Sequence, residues 1–270
     1  MSKRNAFTLI ELLVVIAIIA LLMGILMPAL SRVKKQARAV ACRATLKQWG
    51  PIWYMYCNDN EGSFPSGNDD VTWTRGEWIL ALRFMYETKS DMLRCPVATK
   101  RLPSGEDHGG PFNTYAMGTG GTGNLQEECS YGQNNWLFNP PSGVANIQGR
   151  PAEWHWRNIN VKGRMNNIPV FADTMWRGGG PTYKDSTRID PPQFNGQWLG
   201  AGHEMKHFCI DRHNGSNNYL FLDWTVRSVD IKELWTLTWH KGFDPRGRWT
   251  RSGGVQPSEW PEWMRGFKDY

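Results

Sequence analysis

The chain has 270 residues, 31 Lys plus Arg against 25 Asp plus Glu, a net charge of +6 and 15 Trp. That length suits one anchor and one medium-sized head, and is too short for a string of domains. Much of the positive excess lies in one stretch (Arg32, Lys34, Lys35, Arg38, Arg43 and Lys47) with no aromatic residue between, which argues for a solvated helix face or lipid head-group contact and against nucleic acid as a partner.

The first element is apolar. Residues 7–30 read FTLIELLVVIAIIALLMGILMPAL, with Glu11 as the only charge, after the stub Met1-Ser-Lys-Arg-Asn-Ala6. A hydrocarbon core takes about 20 helical residues at about 1.5 Å each, so the run is long enough to span it. No second apolar run of that length follows, which predicts a single span. A carboxylate at the bilayer centre costs about 2.5–3.5 kcal/mol, so Glu11 is expected to have a use, and subunit assembly is the one expected. A secretory signal peptide has its small cleavage residue after the apolar stretch, whereas Ala6 lies before it.

Phe7-Thr8-Leu9-Ile10-Glu11-Leu12, with Ala6 before it and Pro28 beyond, resembles the leader segment of type IV pilins and type II secretion pseudopilins. The resemblance implies that a prepilin peptidase cuts between Ala6 and Phe7 on the cytoplasmic side and methylates Phe7; the family usually has Gly where this chain has Ala6. Glu11 would then neutralise the Phe7 amine of a neighbouring copy in a low-dielectric core, where a lone charge is costly, and so set the register of stacked helices. Lys and Arg are denser on the C-terminal side of the run, and charge alone would leave the head in the cytoplasm. The resemblance instead implies a single-pass inner-membrane protein, N-terminus cytoplasmic and head periplasmic or extracellular. The partners it implies are the peptidase, other copies or related pilin-like subunits, and membrane lipid.

Beyond the anchor, Val33, Ala37, Val40 and Ala44 recur at spacings of four, three and four, one helical face, and predict a continuing helix. Pro28 is expected to bend it and Gly50-Pro51 is a second breaker, yet the family pattern favours continuation to about Tyr56, a length of about 75 Å. The expected organisation is a leader at 1–6, an anchor and spine helix at 7–57, and a head at 58–270. In the head, residues 57–65 read as a turn-rich link, 78–88 as a short amphipathic helix and 103–124 as a long loop. Strands are predicted at 168–173, 206–211, 219–223 and 226–230, with Asn214-Gly215 as a hairpin signal between the second and third. The fold class is therefore α+β, a long N-terminal helix followed by an antiparallel sheet.

Further motifs extend the resemblance: Ala41-Cys42 with Leu46-Lys47-Gln48, Cys95-Pro96, Ser130-Tyr131-Gly132-Gln133-Asn134, and His213 with Asp223 ten positions on. They are similar to those of a large subgroup of pilin-like proteins, which has Gly where this chain has Trp224.

Several strings could carry other chemistry. The five cysteines (Cys42, Cys57, Cys95, Cys129 and Cys209) fit no zinc-knuckle spacing. Cys95 with Cys129 is the expected disulfide in an oxidising compartment. His203-Glu204-Met205-Lys206-His207, with His213 beyond, matches the letter of a zinc-hydrolase motif in a context too short for its helix. Asp59, Glu61, Asp173, Asp211 and Asp223 are candidate Ca²⁺ ligands, as hard oxygen donors. Trp154, Trp156, Trp176 and Trp198 are candidates for stacking on carbohydrate. The expected function is a structural filament subunit, not an enzyme and without a cofactor. The alternatives are a membrane-tethered module binding carbohydrate or another ligand, and a zinc hydrolase using His203, Glu204, His207 and His213.

Overall fold

Leu9–Asp59 form one helix, α1, which runs through both Pro28 and Gly50-Pro51. Each proline removes a single backbone donor, and strong helix formers on either side carry the helix across. The computed structural model describes residues 9–67, 76–87, 89–118, 127–181, 189–200 and 203–270. Ala6, Phe7 and the rest of the leader lie outside them.

The chain divides between Arg38 and Ala39 into two compact units. The described part of the first is helix whose apolar side chains are exposed on every face, from Leu9 through Leu30. By length and composition it can cross a membrane.

The second unit begins inside α1. The helix buries Cys42, Leu46, Trp49, Ile52, Trp53 and Cys57, a stripe at spacings of three and four. Val40 and Ala44, which share a face at helical spacing, are exposed. Two residues are about 200° of helix rotation, so the face bearing Leu46 and the two tryptophans is opposite to that of Val40 and Ala44. Large side chains win because they remove more apolar area from water.

Short elements follow: α2 (Glu77–Ala81), α3 (Arg83–Tyr86), β1 (Lys100–Arg101), β2 (Asn113–Ala116), β3 (Glu128–Cys129), β4 (Tyr131–Asn134), β5 (Asn146–Ile147), β6 (Arg150–Pro151), β7 (Pro169–Asp173), β8 (Gly178–Gly179), β9 (Ser216–Phe221) and β10 (Val226–Asp230). The expected helix at 78–88 is thus two pieces, parted at Leu82. Among the described residues the main sheet has the order β10-β9-β7-β4-β8, with β4 and β8 parallel and the other pairs antiparallel. The smaller β1-β2-β3 sheet also has one parallel pair. The architecture is α+β, as expected, with mixed rather than purely antiparallel sheets.

The main sheet lies between two apolar layers because successive side chains point to opposite faces. Leu220 and Leu222 join Trp49, Trp53, Trp78 and Phe171 on the α1 side. Tyr219 and Phe221 join Trp235, Trp239, Trp260 and Met264 from the C-terminal segment.

Residues 206–211 are not a strand. Glu204–His207 form a single 3-10 turn, and Phe208, Cys209 and Ile210 are buried without pairing into the sheet. Asn214 and Gly215, at φ 59° and 92°, turn the chain into β9 and do not join two strands. The hairpin forms later, between β9 and β10: the Phe221 N–H donates to the Thr225 carbonyl at 2.9 Å and the Trp224 N–H to the Phe221 carbonyl at 2.8 Å. Trp224 sits there at φ 63°, a left-handed position that favours Gly.

Candidate functional site

Cys42, Cys95, Asp173 and His213 come from four distant segments and meet on the α1 side of the sheet. Cys42 is on the buried face of α1. Cys95 follows the 3-10 turn Ser90–Leu93, and its N–H donates to Ser130 Oγ at 2.7 Å. Asp173 ends β7, and His213 precedes β9. One ligand atom from each lies within 4.8 Å of all the others.

The contacts converge. Cys42 Sγ lies 3.4 Å from both Asp173 carboxylate oxygens. His213 Nε2 lies 3.2 Å from Asp173 Oδ2 and 3.4 Å from Cys95 Sγ. Tyr131 donates its hydroxyl to Cys42 Sγ at 3.3 Å, and the Asn218 N–H donates to Asp173 Oδ2 at 2.9 Å.

Arg212 closes the site from behind. Its Nη1 donates to Asp173 Oδ1 at 3.1 Å and to the Ser130 carbonyl at 2.6 Å. Nη2 reaches the carbonyls of Thr174 and Gly110, and Nε that of Pro111. A planar guanidinium with five donors in fixed positions can satisfy such a set; a lysine cannot.

This electrostatic setting moves every member. Burial pushes Asp173 up, but His213, Arg212 and the Asn218 N–H outweigh it and hold the carboxyl at about 2. Burial pushes His213 down, while Asp173 and Cys95 lift it to about 9. For Cys95 burial acts upward, but hydrogen bonding with Cys42 and His213 and the Arg212 charge bring it to about 6. Cys42 is pushed well up by burial, with Cys95 and Asp173 adding to it.

The Ser130-Tyr131-Gly132-Gln133-Asn134 motif supports the same region. Ser130 and Tyr131 supply the contacts above. Gly132 is required by close approach: a Cβ there would lie 2.4 Å from the Trp176 carbonyl oxygen. Asn134 Nδ2 donates to the carbonyls of Pro169 and Trp239, each at 3.0 Å.

The other predicted residues do not gather here. Asp223 lies at the opposite end of the sheet from Asp173, because β7 and β9 run antiparallel; its Oδ1 accepts from the N–H and Oγ1 of Thr225 in the hairpin. Asp211 accepts the Gly215 N–H at 2.7 Å, and Asp59 and Glu61 lie where α1 ends. The expected Cys95–Cys129 disulfide is not formed. All five cysteines are free, Cys95 faces His213, and Cys129 Sγ sits 3.4 Å from the Tyr131 carbonyl.

The zinc-hydrolase string also resolves differently. One 3-10 turn cannot set residues i and i+4 on one face as an α-helix does. His203 Nε2 meets the Asp190 carbonyl at 2.6 Å and His207 Nδ1 the Gly178 carbonyl at 2.8 Å. Glu204 pairs with Arg150, and His213 is in the Cys42 cluster. Of the four tryptophans singled out, Trp176 is buried. Trp154 stacks on His240 and Trp198 on His207, at interplanar angles of 10° and 15°, and Trp156 packs against the core.

The sequence reading missed Cys42 and Arg212 as site residues. The signal was present in the motif set, where Ala41-Cys42, Cys95-Pro96 and His213 each contribute one member.

In the first unit, Glu11 lies in the first described turn of α1. The family description "Prokaryotic N-terminal methylation motif" matches residues 1–27. The chain is prepilin-like at its N-terminus. The match spans the leader, Glu11 and most of the apolar part of α1. No curated protein and no solved structure matches this prepilin-like chain.

Proposed function

We propose that the chain is a structural subunit of a type IV pilus-like or type II secretion pseudopilus filament. One observation carries the reading: the methylation motif at residues 1–27 runs, from Leu9 on, into a helix whose apolar side chains are exposed around its whole circumference from Leu9 to Leu30. Such a surface calls for lipid or other apolar helices. In this reading a prepilin peptidase cleaves between Ala6 and Phe7 and methylates Phe7. The anchor holds the protein in the inner membrane with its N-terminus cytoplasmic and its head periplasmic or extracellular. It then packs against like helices. Glu11 meets the Phe7 amine of an adjacent copy and fixes register, since in a low-dielectric surround each charge needs the other. The role is assembly, with no turnover and no resident cofactor required for it.

Mass spectrometry of the mature N-terminus tests the processing route. Methylated Phe7 as first residue is the expected result, and a retained Met1 overturns it. Glu11→Ala is expected to abolish filaments while leaving cleavage intact. Filaments at normal yield from that variant would sink the register role.

A further inference from the structure

The convergence of Cys42, Cys95, Asp173 and His213 serves more than packing. We propose that these four residues bind a divalent metal ion of the zinc class as a closed, structural site in the head.

The geometry comes first. The ligand atoms, two Sγ, one Nε2 and one carboxylate oxygen, lie within 4.8 Å of one another. Three of the six edges between them, His213–Asp173, His213–Cys95 and Cys42–Asp173, are 3.2, 3.4 and 3.4 Å. Zinc bonds of about 2.0–2.3 Å at tetrahedral angles give edges of about 3.3–3.8 Å. Three edges thus lie within a few tenths of an ångström of that range, and the others, at most 4.8 Å, need close by no more than about 1 Å.

The direction of the imidazole decides against a catalytic relay. In a Cys-His-Asp relay the thiol and the carboxylate engage opposite ring nitrogens. Here both Cys95 Sγ and Asp173 Oδ2 approach Nε2. A single nitrogen can give its proton to one of them at a time, whereas a metal at the common centre meets all three. The donor set suits zinc: thiolate and imidazole favour it, and the site has too few oxygens for Ca²⁺ or Mg²⁺.

Charge also balances. Two thiolates and a carboxylate carry −3, and a divalent ion with Arg212 carries +3, so the buried group is neutral with the metal in place. Arg212 and the Asn218 N–H hold the carboxylate, and Tyr131 donates to Cys42 Sγ. Such outer contacts orient ligands and raise affinity. All four ligands come from the protein and are enclosed by it, which leaves no open position for a substrate. Binding displaces the Cys42 thiol proton and the proton that His213 Nε2 shares with Cys95 and Asp173, and no oxidant or reductant takes part.

The test uses the full chain in detergent micelles, reduced, incubated with zinc, and passed through a desalting column. One zinc per chain is expected, with Cys42 and Cys95 protected from alkylation until a chelator is added. Cys95→Ser and His213→Ala should lose the bound zinc, while Cys209→Ser, a buried thiol outside the cluster, should keep it. Cobalt in place of zinc on the unaltered chain gives a readout that does not depend on the variants folding. A tetrahedral spectrum with thiolate charge-transfer bands supports the site, and an octahedral or blank spectrum overturns it. So does retention of full zinc in both ligand variants. A Cys42–Cys95 disulfide in the protein as isolated from membranes, with no metal bound, overturns it as well.

Discussion

Arg212 Nη1 lies 3.1 Å from Asp173 Oδ1, and neither side chain has any exposure to solvent. The guanidinium also donates to four backbone carbonyls, of Gly110, Pro111, Ser130 and Thr174. Removing one partner of a buried pair costs about 3–5 kcal/mol when the other charge is left alone. His213 still faces Asp173, so Arg212→Met should destabilise the head by about 3 kcal/mol, much of it from the orphaned carbonyls. Thermal melting of the full chain followed by Trp fluorescence checks this. A melting temperature within a degree or so of the unaltered protein would contradict it.

Gly132 predicts a second large effect from a small change. An added Cβ would meet the Trp176 carbonyl at 2.4 Å and the Thr174 side chain at 2.6 Å. Backbone blocks the first of these, so β4 and the segment after β7 must part. Gly132→Ala should cost about 3 kcal/mol or more, read as a lower denaturant midpoint. Gly143→Ala is a control for loss of Gly itself, because its Cβ would meet nothing within 4 Å. Its φ of 86° adds only ordinary left-handed strain of about 1 kcal/mol.

Trp224 at φ 63° gives a comparison that isolates backbone strain. Its ring packs edge-on against Tyr54 at 6.0 Å, and both Trp224→Gly and Trp224→Ala lose that contact. Gly accepts the left-handed position and Ala does not, so the Gly variant should be the more stable by about 1 kcal/mol. Parallel urea titrations decide it, and equal midpoints would contradict it.

Two imidazoles should make the head sensitive to acid. Burial lowers His155 and His240 from 6.5 to about 3, with the Arg150 charge adding to it in both. His240 Nδ1 accepts the Gly242 N–H, and neither ring nitrogen of His155 has a hydrogen-bond partner among the described residues. The unfolded chain takes up protons near 6.5 while the folded one resists until about 3. Stability from this source is thus complete above 6.5 and lost as pH falls toward 3. At about pH 5 each site should account for about 2 kcal/mol at most. Replacing both by Phe should flatten the pH dependence between 6.5 and 4, measured by denaturation at stepped pH. An unchanged slope would count against it.

What was legible in the sequence had local physical causes. The span from Leu9 needs only composition, and β7 and β10 are short apolar or alternating runs bounded by turn residues. Which face of α1 is buried was not legible, because periodicity gives spacing without saying which side the sheet occupies. Phe208-Cys209-Ile210 looked like a strand because apolar content alone does not distinguish a paired segment from one buried by its neighbours. The Cys42–Cys95–Asp173–His213 group was hidden for a different reason. It exists only after β7 and β9 are paired and α1 is laid across them, and no spacing rule relates positions 42, 95, 173 and 213. His203 and His207 misled in the opposite way, since a correct spacing stood on a turn too short to use it.

The layer formed by Trp235, Trp239, Trp260 and Met264 covers the far face of the sheet, and in the sequence it follows every strand of that sheet. β9 and β10 are therefore made before the side chains that cover them, and their apolar face must avoid other partners until those tryptophans dock.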